Sequence, residues 1–324
     1  MSYAIRFHAT GGPEVLRWEE VAVSRPRPGE TLVRHTAVGL NFIDVYHRSG
    51  LYRLALPAIP GLEAAGVIEE VGEGVEDLRP GQRVAYAGGP PGAYAERRVI
   101  PADRLVPLPD TLDDRTAAAV MVKGLTAWFL LRRTYAVQPG DTIVFHAAAG
   151  GVGLLACQWA AALGATVIGT VGSEAKAELA HHMGCQHVLV LGRDDVPRRV
   201  RELTGGRGAQ VVYDSVGQAT WEGSLDCLAP LGLMVSFGNA SGPVPPFSPL
   251  LLAEKGSLFL TRPTLMTYTA ARADLLAGAE ELFAVLANGR VVPHLYRTYP
   301  LREAAEAHRD LEGRRTVGSS VFLP

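Results

Sequence analysis

Cysteine is scarce in this 324-residue sequence: it occurs only as Cys157, Cys185 and Cys227, which are widely spaced. An odd number without a C-x-x-C pair excludes a disulfide framework and a cysteine zinc lobe. These absences are typical of a protein in a reducing compartment, and we expect a cytoplasmic location. The first residues, MSYAIRFHATGGPE, agree with this expectation because they contain neither an apolar signal core nor a transit-peptide pattern.

A large charge of one sign is missing as well, since the formal net charge is −2 at pH 7. Such a balance provides no basic field for nucleic acid or for an anionic membrane surface, and we expect neither partner. Lysine is the rare cation, because only three of the 31 Lys and Arg residues are lysines. The hydrophobic content of 48% suits a soluble globular protein, and 324 residues are enough for two domains.

Charged residues are absent from one stretch, Thr142 to Ser173, which is long enough to cross a bilayer. Glycines interrupt this stretch, however, and His146 and Gln158 lie inside it. The Leu-Gly-Ala-Thr run at 163–166 also ends the helical pattern. The stretch therefore predicts a buried strand–helix–strand unit and not a membrane span.

A glycine-rich turn follows the strand predicted at Thr142–Phe145 and opens an apolar helix. This order matches the G-x-G-x-x-G dinucleotide fingerprint, in which the second glycine lets phosphate approach and the third lets helix and strand pack closely. The amino end of the helix offers unpaired N–H groups to a pyrophosphate. A buried crossover rich in small residues, without a ligand, is the alternative. The predicted phosphate-binding residues are Ala148, in the position of the first glycine, Gly150, Gly151, Val152 and Gly153.

An acidic residue is missing from the end of the next predicted strand, where a carboxylate would hold the ribose hydroxyl of NAD. The chain there reads Gly172-Ser173-Glu174-Ala175-Lys176, so a hydroxyl and a cation follow directly. We therefore expect NADP(H) to be preferred to NAD(H). An alternative remains open for each of the two charged residues. Glu174 caps the following helix or complements its dipole, and Lys176 is a solvent-facing charge of the same helix.

The secondary-structure pattern changes near Asp113. The residues before it form short strands between turns, which is typical of a small, partly closed barrel. Strands and helices then alternate as far as the strand predicted at Ser257–Thr261, which indicates a parallel doubly wound sheet. That strand is an apolar edge and favours a homodimer through 257–261. The tail is expected to complete the first domain. Other predicted elements are a strand at Glu14–Trp18, a helix after Asp113 that breaks near Lys123-Gly124, and a helix at Arg272–Asn288.

Several motifs resemble one family along essentially the whole chain. They are GLNFIDVYHRSGLY from Gly39, PGLEAAGVIEEVGEGV from Pro60, KGLTA from Lys123, AAAGGVG from Ala147, VVYDSVG from Val211, SFGN from Ser236 and TRP from Thr261. The sequence is similar to the zinc-free medium-chain dehydrogenase/reductases and resembles most their quinone oxidoreductase (zeta-crystallin) branch. The resemblance implies an α/β fold with two domains. These are a GroES-like, partly open β-barrel catalytic domain at 1–124 and 265–324, and a Rossmann domain with a doubly wound parallel sheet at 125–264.

The same resemblance implies the residues of the site. Asn41, Tyr46, Tyr52 and Arg262 are expected to line the acceptor pocket, with Asn41 and Tyr52 as hydrogen-bond donors to an acceptor oxygen, while Asp44 orients its neighbours. The alternatives are a helix cap for Asn41, a packed loop aromatic for Tyr52 and a solvent-facing charge for Arg262. The implied cofactor is NADPH. Besides the glycine turn, its implied contacts are Thr126, Gly172, Ser173, Lys176, Phe237, Asn239 and Arg314.

We expect no metal. In the zinc-dependent members of the family, a cysteine and a Gly-His-Glu motif hold the catalytic zinc, and the matching positions here are Asn41 and Gly61-Leu62-Glu63. His181, His182 and His187 lie close together in sequence, but adjacent helical residues point in different directions and no further ligand completes a set.

A zinc-free site favours an acceptor that is already electrophilic, because no Lewis acid polarises it. We therefore expect hydride or electron transfer from NADPH to a quinone. An NADPH-dependent reductase of activated C=C bonds, such as those of 2-alkenals or enones, is the alternative within enzymes. A protein that binds NADPH without turnover, as zeta-crystallins can, is the alternative outside them. The proton donor of the reaction is not identified by the sequence.

Overall fold

The computed structural model describes residues 2–324, and the chain divides into two units. The first unit contains the residues through Leu125, Tyr268–Glu281 and Pro293–Pro324, and the second contains Thr126–Thr267 and Leu282–Val292. The predicted boundaries, 1–124 with 265–324 and 125–264, differ mainly at Leu282–Val292, which the structure assigns to the second unit. The first unit is built on antiparallel strands and the second on parallel strands. The predicted α/β fold class is thereby confirmed.

A seven-stranded sheet forms the frame of the described part of the first unit, in the order β14-β15-β3-β4-β5-β7, with β6 also paired to β3. Strand β3 is ten residues long, and its Val33, Ala37 and Val38 are fully buried. The tail returns to this sheet, because β15 pairs antiparallel with β3. The strands are β1 Ser2–Arg6, β2 Arg17–Val21, β3 Glu30–Gly39, β4 Glu63–Val71, β5 Arg83–Ala87, β6 Arg97–Pro101, β7 Val106–Pro107, β14 Leu295–Pro300 and β15 Ser319–Leu323.

Aromatic side chains fill the core of the first unit. Phe7, Tyr86, Tyr94 and Phe322 are buried in one cluster, and Tyr94 packs edge-on against Phe322 with ring centroids 4.8 Å apart. Each of these large rings removes a large area of apolar surface from water, which stabilises the barrel. The helices that begin in this unit are α1 Phe42–Ser49, α2 Asp114–Trp128, α9 Arg272–Ala287 and α10 Ala304–Glu312.

Six parallel strands form the sheet of the described second unit, in the order β10-β9-β8-β11-β12-β13. The chain winds outward from β8 in both directions, which places the topological switch point between β8 and β11. Ligands of such sheets bind at the carboxyl ends of the strands near this point. The strands are β8 Thr142–Phe145, β9 Thr166–Val171, β10 His187–Val190, β11 Ala209–Asp214, β12 Leu228–Ser236 and β13 Phe259–Thr261.

The helices that follow these strands are α3 Gly151–Ala162, α4 Glu174–His182, α5 Val196–Leu203, α6 Trp221–Cys227 and α7 Leu250–Glu254; the short α8, Leu265–Tyr268, comes after β13. The core of this unit lies between the sheet and its helices, and includes Val144, Ile168, Val212 and Met234. None of the helices within residues 2–324 has the length and apolarity that a membrane span needs.

Three sequence-based elements were wrong in detail. Pro13 begins a short 3-10 turn, Pro13–Val15, because its fixed φ suits a helical start, so the strand predicted at Glu14–Trp18 is displaced to Arg17–Val21. Helix α2 does not break at Lys123-Gly124, since the cost of about 1 kcal/mol for a helical glycine is offset by a fully buried helix face. The edge strand begins at Phe259 and not at Ser257, which has φ 56°.

Candidate active site and cofactor site

The predicted phosphate-binding turn connects β8 to α3 in the second unit. Gly150 is the N-cap residue of the helix. A Cβ atom on Gly153 would lie 2.7 Å from the carbonyl oxygen of Ala148 and closer still to that of Ala147, so only glycine fits there. The positive φ of the turn, 53°, falls on Ala147 and not on Ala148, which explains why alanine is tolerated in place of the first glycine. The first amides of α3 have no acceptor within the helix, so its amino end can donate hydrogen bonds to a pyrophosphate.

The predicted adenosine end lies where β9 enters α4. Ser173 is the N-cap residue of α4, yet its side chain makes no capping hydrogen bond. Glu174 forms an ion pair with Arg193, which follows β10. Arg193 also pairs with Asp194 at 2.8 Å and, by hydrogen bonding to it, lowers the pKa of this carboxyl to about 2. The carboxylate of Glu174, which follows the tip of β9, is thus paired with a guanidinium, and the half-buried Lys176 lies two residues further along α4.

Three further predicted residues follow the outer strands of the same parallel sheet. Phe237 comes directly after β12, is half-buried, and lies 5.8 Å from Phe145 between ring centroids. Arg262 comes directly after β13, and its Nη1 donates to the Ser236 carbonyl oxygen at 3.0 Å. Since parallel strands end at one edge, these residues and Asn239 lie on the carboxyl edge of the sheet together with the glycine turn. Thr126, at the start of this unit, is 9% exposed.

Asn41 has two structural roles at the start of α1 in the first unit. It is the N-cap residue and forms a capping box with Asp44, whose carboxylate accepts the Asn41 backbone N–H at 2.9 Å. Its side-chain Nδ2 also donates to Glu63 Oε2 at 2.8 Å. Asn41 therefore does cap α1, as the alternative expected. Its side-chain nitrogen has two N–H groups, however, and the bond to Glu63 uses only one of them, so this role does not exclude a bond to an acceptor.

Tyr46 and Tyr52 form an aromatic pair in the same unit. Their ring centroids are 5.1 Å apart in an edge-to-face arrangement, and the backbone N–H of Tyr52 donates to the Tyr46 carbonyl oxygen at 3.0 Å. Tyr46 is buried, whereas Tyr52 is partly exposed. The structure thus brings together the two tyrosines that were predicted to line the acceptor pocket.

A buried group of polar side chains, which we call the polar cluster, surrounds Asn41. Both carboxylate oxygens of Glu63 are engaged: Oε1 accepts the Val122 backbone N–H at 2.6 Å, and Oε2 accepts Lys123 Nζ at 3.1 Å as well as Asn41 Nδ2. Glu63 is completely buried and Lys123 is 6% exposed. The members of the polar cluster are Asn41, Asp44, Glu63, Tyr94, Lys123 and His308.

The second half of the polar cluster is a hydrogen-bonded chain. The Tyr94 hydroxyl donates to Asp44 Oδ2 at 2.9 Å and lies 3.1 Å from His308 Nε2, so this imidazole nitrogen carries the hydrogen. Burial raises the pKa of the Asp44 carboxyl to about 7, although the hydrogen bonds from Asn41 and Tyr94 act in the opposite direction. Burial lowers the pKa of His308 to about 3, and the nearby Arg48 lowers it further. The imidazole is therefore neutral at pH 7.

Sequence reasoning did not place Glu63, Lys123, Tyr94 or His308 in the site. Glu63 and Lys123 occur inside motifs that carry the family resemblance, and the only additional signal was the rarity of lysine. Arg314, predicted to contact the cofactor, is an exposed residue of the first unit with φ 56°, in the turn between α10 and β15. Its role stays a prediction, as do the roles of the other site residues.

Comparison with known proteins agrees with this geometry. Residues 27–110 match a family model described as an alcohol dehydrogenase GroES-like domain, and residues 151–277 match one described as a zinc-binding dehydrogenase. The quinone oxidoreductase of Pseudomonas aeruginosa is 53% identical over 325 residues and 100% of both chains. A solved Escherichia coli quinone oxidoreductase complexed with NADPH has a TM-score of 0.98 at 47% identity, covering 99% of this chain and 100% of that one. A 2-haloacrylate reductase of Burkholderia sp is 46% identical over 100% of this chain and 99% of its own.

An antiparallel barrel unit, a parallel-sheet unit and a glycine turn at the switch point define a medium-chain dehydrogenase/reductase. The chain belongs to this family, in its quinone oxidoreductase branch, and the resemblance stated from the sequence is confirmed.

The description of one family model raises the question of zinc. Of the positions that match zinc ligands in metal-dependent members, Leu62 has no donor atom, and Glu63 has both oxygens committed. The Lys123 ammonium, 3.1 Å from Glu63, repels a dication. Within residues 2–324 no three His, Cys, Asp or Glu side chains are grouped so that they could hold a metal ion. The residues present do not fit zinc, and no step below involves a metal.

Proposed function

We propose that this chain is an NADPH:quinone oxidoreductase. The observation that carries the proposal is the convergence of the glycine turn, Ser173, Lys176, Phe237 and Arg262 on the carboxyl edge of one parallel sheet, without a carboxylate at the tip of β9. Full-length relatives at 53% and 47% identity have the name quinone oxidoreductase, and one of them is solved as an NADPH complex. A 2′-phosphate is favoured here because the nearest acid, Glu174, is paired with Arg193.

The chain's own residues divide the work between binding and orientation. The amides at the start of α3 bind the pyrophosphate, Lys176 and Ser173 hold the adenosine end, and Phe237 and Asn239 flank the nicotinamide. When bound, NADPH supplies a hydride from C4 of its dihydronicotinamide. Asn41 and Tyr52 donate hydrogen bonds to the acceptor oxygen as negative charge develops on it, which is the interaction that lowers the barrier most effectively.

A direct test measures absorbance at 340 nm with the purified protein, NADPH and either an ortho-quinone or a para-quinone, with NADH as the control cofactor. We expect rapid consumption of NADPH with a quinone and much slower consumption of NADH. Equal rates with both cofactors would contradict the 2′-phosphate assignment, and no quinone reduction at all would contradict the proposed activity.

The second candidate function is reduction of activated C=C bonds, favoured by the 46% identity to a 2-haloacrylate reductase. The same assay with a 2-alkenal and a 2-haloacrylate separates it from the first, because turnover of these acceptors without turnover of quinones reverses the assignment. Tight NADPH binding without any turnover would leave the non-enzymatic alternative.

We further propose that the chain acts in the cytoplasm as a homodimer joined through β13. This strand is the last in its sheet, its outer edge has no neighbour among the described residues, and Phe259 is 61% exposed. Exposed apolar edge strands of this kind pair readily with a second copy.

The dimer is tested by light scattering of Phe259→Asp, which we expect to reduce the mass from that of a dimer to that of a monomer of about 34.5 kDa. The matched control is Val292→Asp, an apolar residue of the same unit that is 55% exposed away from the sheet edge. If Phe259→Asp remains a dimer, the interface lies elsewhere. The same conclusion follows if Phe259→Asp and Val292→Asp dissociate to the same extent.

A further inference from the structure

One carboxylate oxygen of Glu63 accepts hydrogen bonds from two side chains inside the first unit. Asn41 Nδ2 and Lys123 Nζ both donate to the same atom, Glu63 Oε2, at 2.8 and 3.1 Å. A side chain on Gly39 would collide with this oxygen and with the Ala118 carbonyl, so the fold leaves space for the carboxylate by using glycine. An ion pair at this depth is a poor way to gain stability, because desolvation of both charges offsets their attraction. The pair therefore calls for a role other than stability.

Only two members of the polar cluster retain any solvent-exposed surface. Asp44, Glu63, Tyr94 and His308 have no exposed surface, whereas Asn41 and Lys123 are each 6% exposed. The two members that retain access are the two donors that share Glu63 Oε2. Of these, Asn41 was already predicted to meet the acceptor oxygen. An ammonium has three N–H groups, and Glu63 accepts one of them, so Lys123 Nζ has N–H groups left for an acceptor bound beside Asn41.

The choice of lysine is informative in this chain. Only three of its 31 Lys and Arg residues are lysines, and the other ion pairs found among the described residues of the first unit are made by arginine or histidine. Arginine is the usual residue for a buried ion pair, since its guanidinium forms more hydrogen bonds. Arginine does not release a proton in proteins, however, whereas a lysine ammonium can. The one buried basic position next to Asn41 therefore has the side chain that can act as an acid.

We propose that Lys123 is the proton donor of the reaction, held in place by Glu63. The proposal rests on the quinone reductase function proposed above. Hydride adds at one end of the conjugated acceptor, and the electron pair of the carbonyl π bond moves to the oxygen at the other end. That oxygen takes a proton from Lys123 Nζ, so that one N–H bond breaks and one O–H bond forms. The neutral amine left behind regains its proton from water after the product leaves, and the sum is one hydride and one proton per quinone.

The test compares two acceptors of nearly equal shape that differ in how strongly the reduced oxygen needs a proton: 2,3-dimethyl-1,4-naphthoquinone and 2,3-dichloro-1,4-naphthoquinone. The variant is Lys123→Arg, which keeps the positive charge but supplies no proton. We expect kcat to fall about 100-fold with the dimethyl quinone, in the range that a general acid contributes, and by much less with the dichloro quinone. NADPH affinity, measured by nicotinamide fluorescence, is expected to remain unchanged.

The matched control is Lys255→Arg, a surface lysine of the second unit that pairs with Asp226, and it is expected to leave both rates unchanged. If Lys123→Arg lowers kcat equally with the two quinones, Lys123 only maintains the fold of the pocket. If it lowers kcat with neither, the proton comes from elsewhere. Each of these results overturns the inference. If the wild-type protein reduces neither quinone, the proposed function fails first and the inference with it.

A measurement on the wild-type protein removes any dependence on the folding of the variant. If Lys123 delivers the proton during hydride transfer, kcat with the dimethyl quinone is expected to be lower in deuterium oxide than in water, while kcat with the dichloro quinone is nearly the same in both. A solvent isotope effect of equal size for the two acceptors contradicts the inference.

Discussion

Replacement of Gly153 by valine is expected to abolish measurable NADPH binding. Any Cβ atom at this position meets the backbone carbonyls of Ala147 and Ala148, so the turn has to move away from α3. The first amides of the helix then no longer converge on a pyrophosphate. We expect Kd for NADPH to rise by at least about 100-fold, or about 2.7 kcal/mol. Titration calorimetry measures the affinity, and far-UV circular dichroism establishes that the sheet and helices are retained.

The control for this change is Gly223→Ala, in the middle of α6 of the same unit. A Cβ atom there makes ordinary contacts with Pro197, at 3.6 and 3.9 Å, and alanine favours a helix over glycine. NADPH affinity is expected to be unchanged and stability unchanged or slightly higher. If Gly153→Val binds NADPH within threefold of the wild type, the glycine turn is not the phosphate site.

Replacement of Glu63 by alanine is expected to destabilise the first unit by about 3–5 kcal/mol, the cost of removing one partner of a buried ion pair. Glu63 is completely buried and accepts hydrogen bonds from Lys123, Asn41 and the Val122 backbone. Its loss leaves a buried ammonium and two other donors without their acceptor. Urea titration followed by hydrogen exchange of peptides from β3 and β4 measures the free energy of unfolding of this unit.

The double variant Glu63→Leu with Lys123→Met removes both charges and is expected to recover most of the lost stability, because apolar side chains of similar volume avoid desolvation of an ion pair. Glu202→Ala provides the contrast, since Glu202 pairs with Arg198 on the surface of α5 and is expected to contribute less than about 1 kcal/mol. If Glu63→Ala lowers the free energy of unfolding as little as Glu202→Ala does, water reaches the polar cluster freely.

The parts of the molecule that could be read from the sequence are those in which neighbours in space are neighbours in the chain. The turn from Gly150 to Gly153 was predicted with its ligand because strand, turn and helix follow one another directly. The absence of an acid at the tip of β9 could also be seen in the sequence, because it concerns adjacent residues. The pairing of Glu174 with Arg193 could not, because Arg193 comes after the next strand. The strand predicted at Glu14–Trp18 was misplaced because alternation alone does not reveal that Pro13 begins a turn.

The sequence by itself determined the fold class, the family and NADPH as the cofactor, and it predicted the phosphate-binding turn, since periodicity, glycine spacing and motif composition are properties of short segments. Only the tertiary structure decided that Asn41 both caps α1 and bonds to Glu63, and that Lys123 donates to the same oxygen. Asn41 caps α1, Glu63 and Lys123 belong to β4 and α2, and Tyr94 reaches the cluster from the loop between β5 and β6 and His308 from α10. Their encounter depends on how the barrel closes around its core, because burial and side-chain pairing arise only from packing.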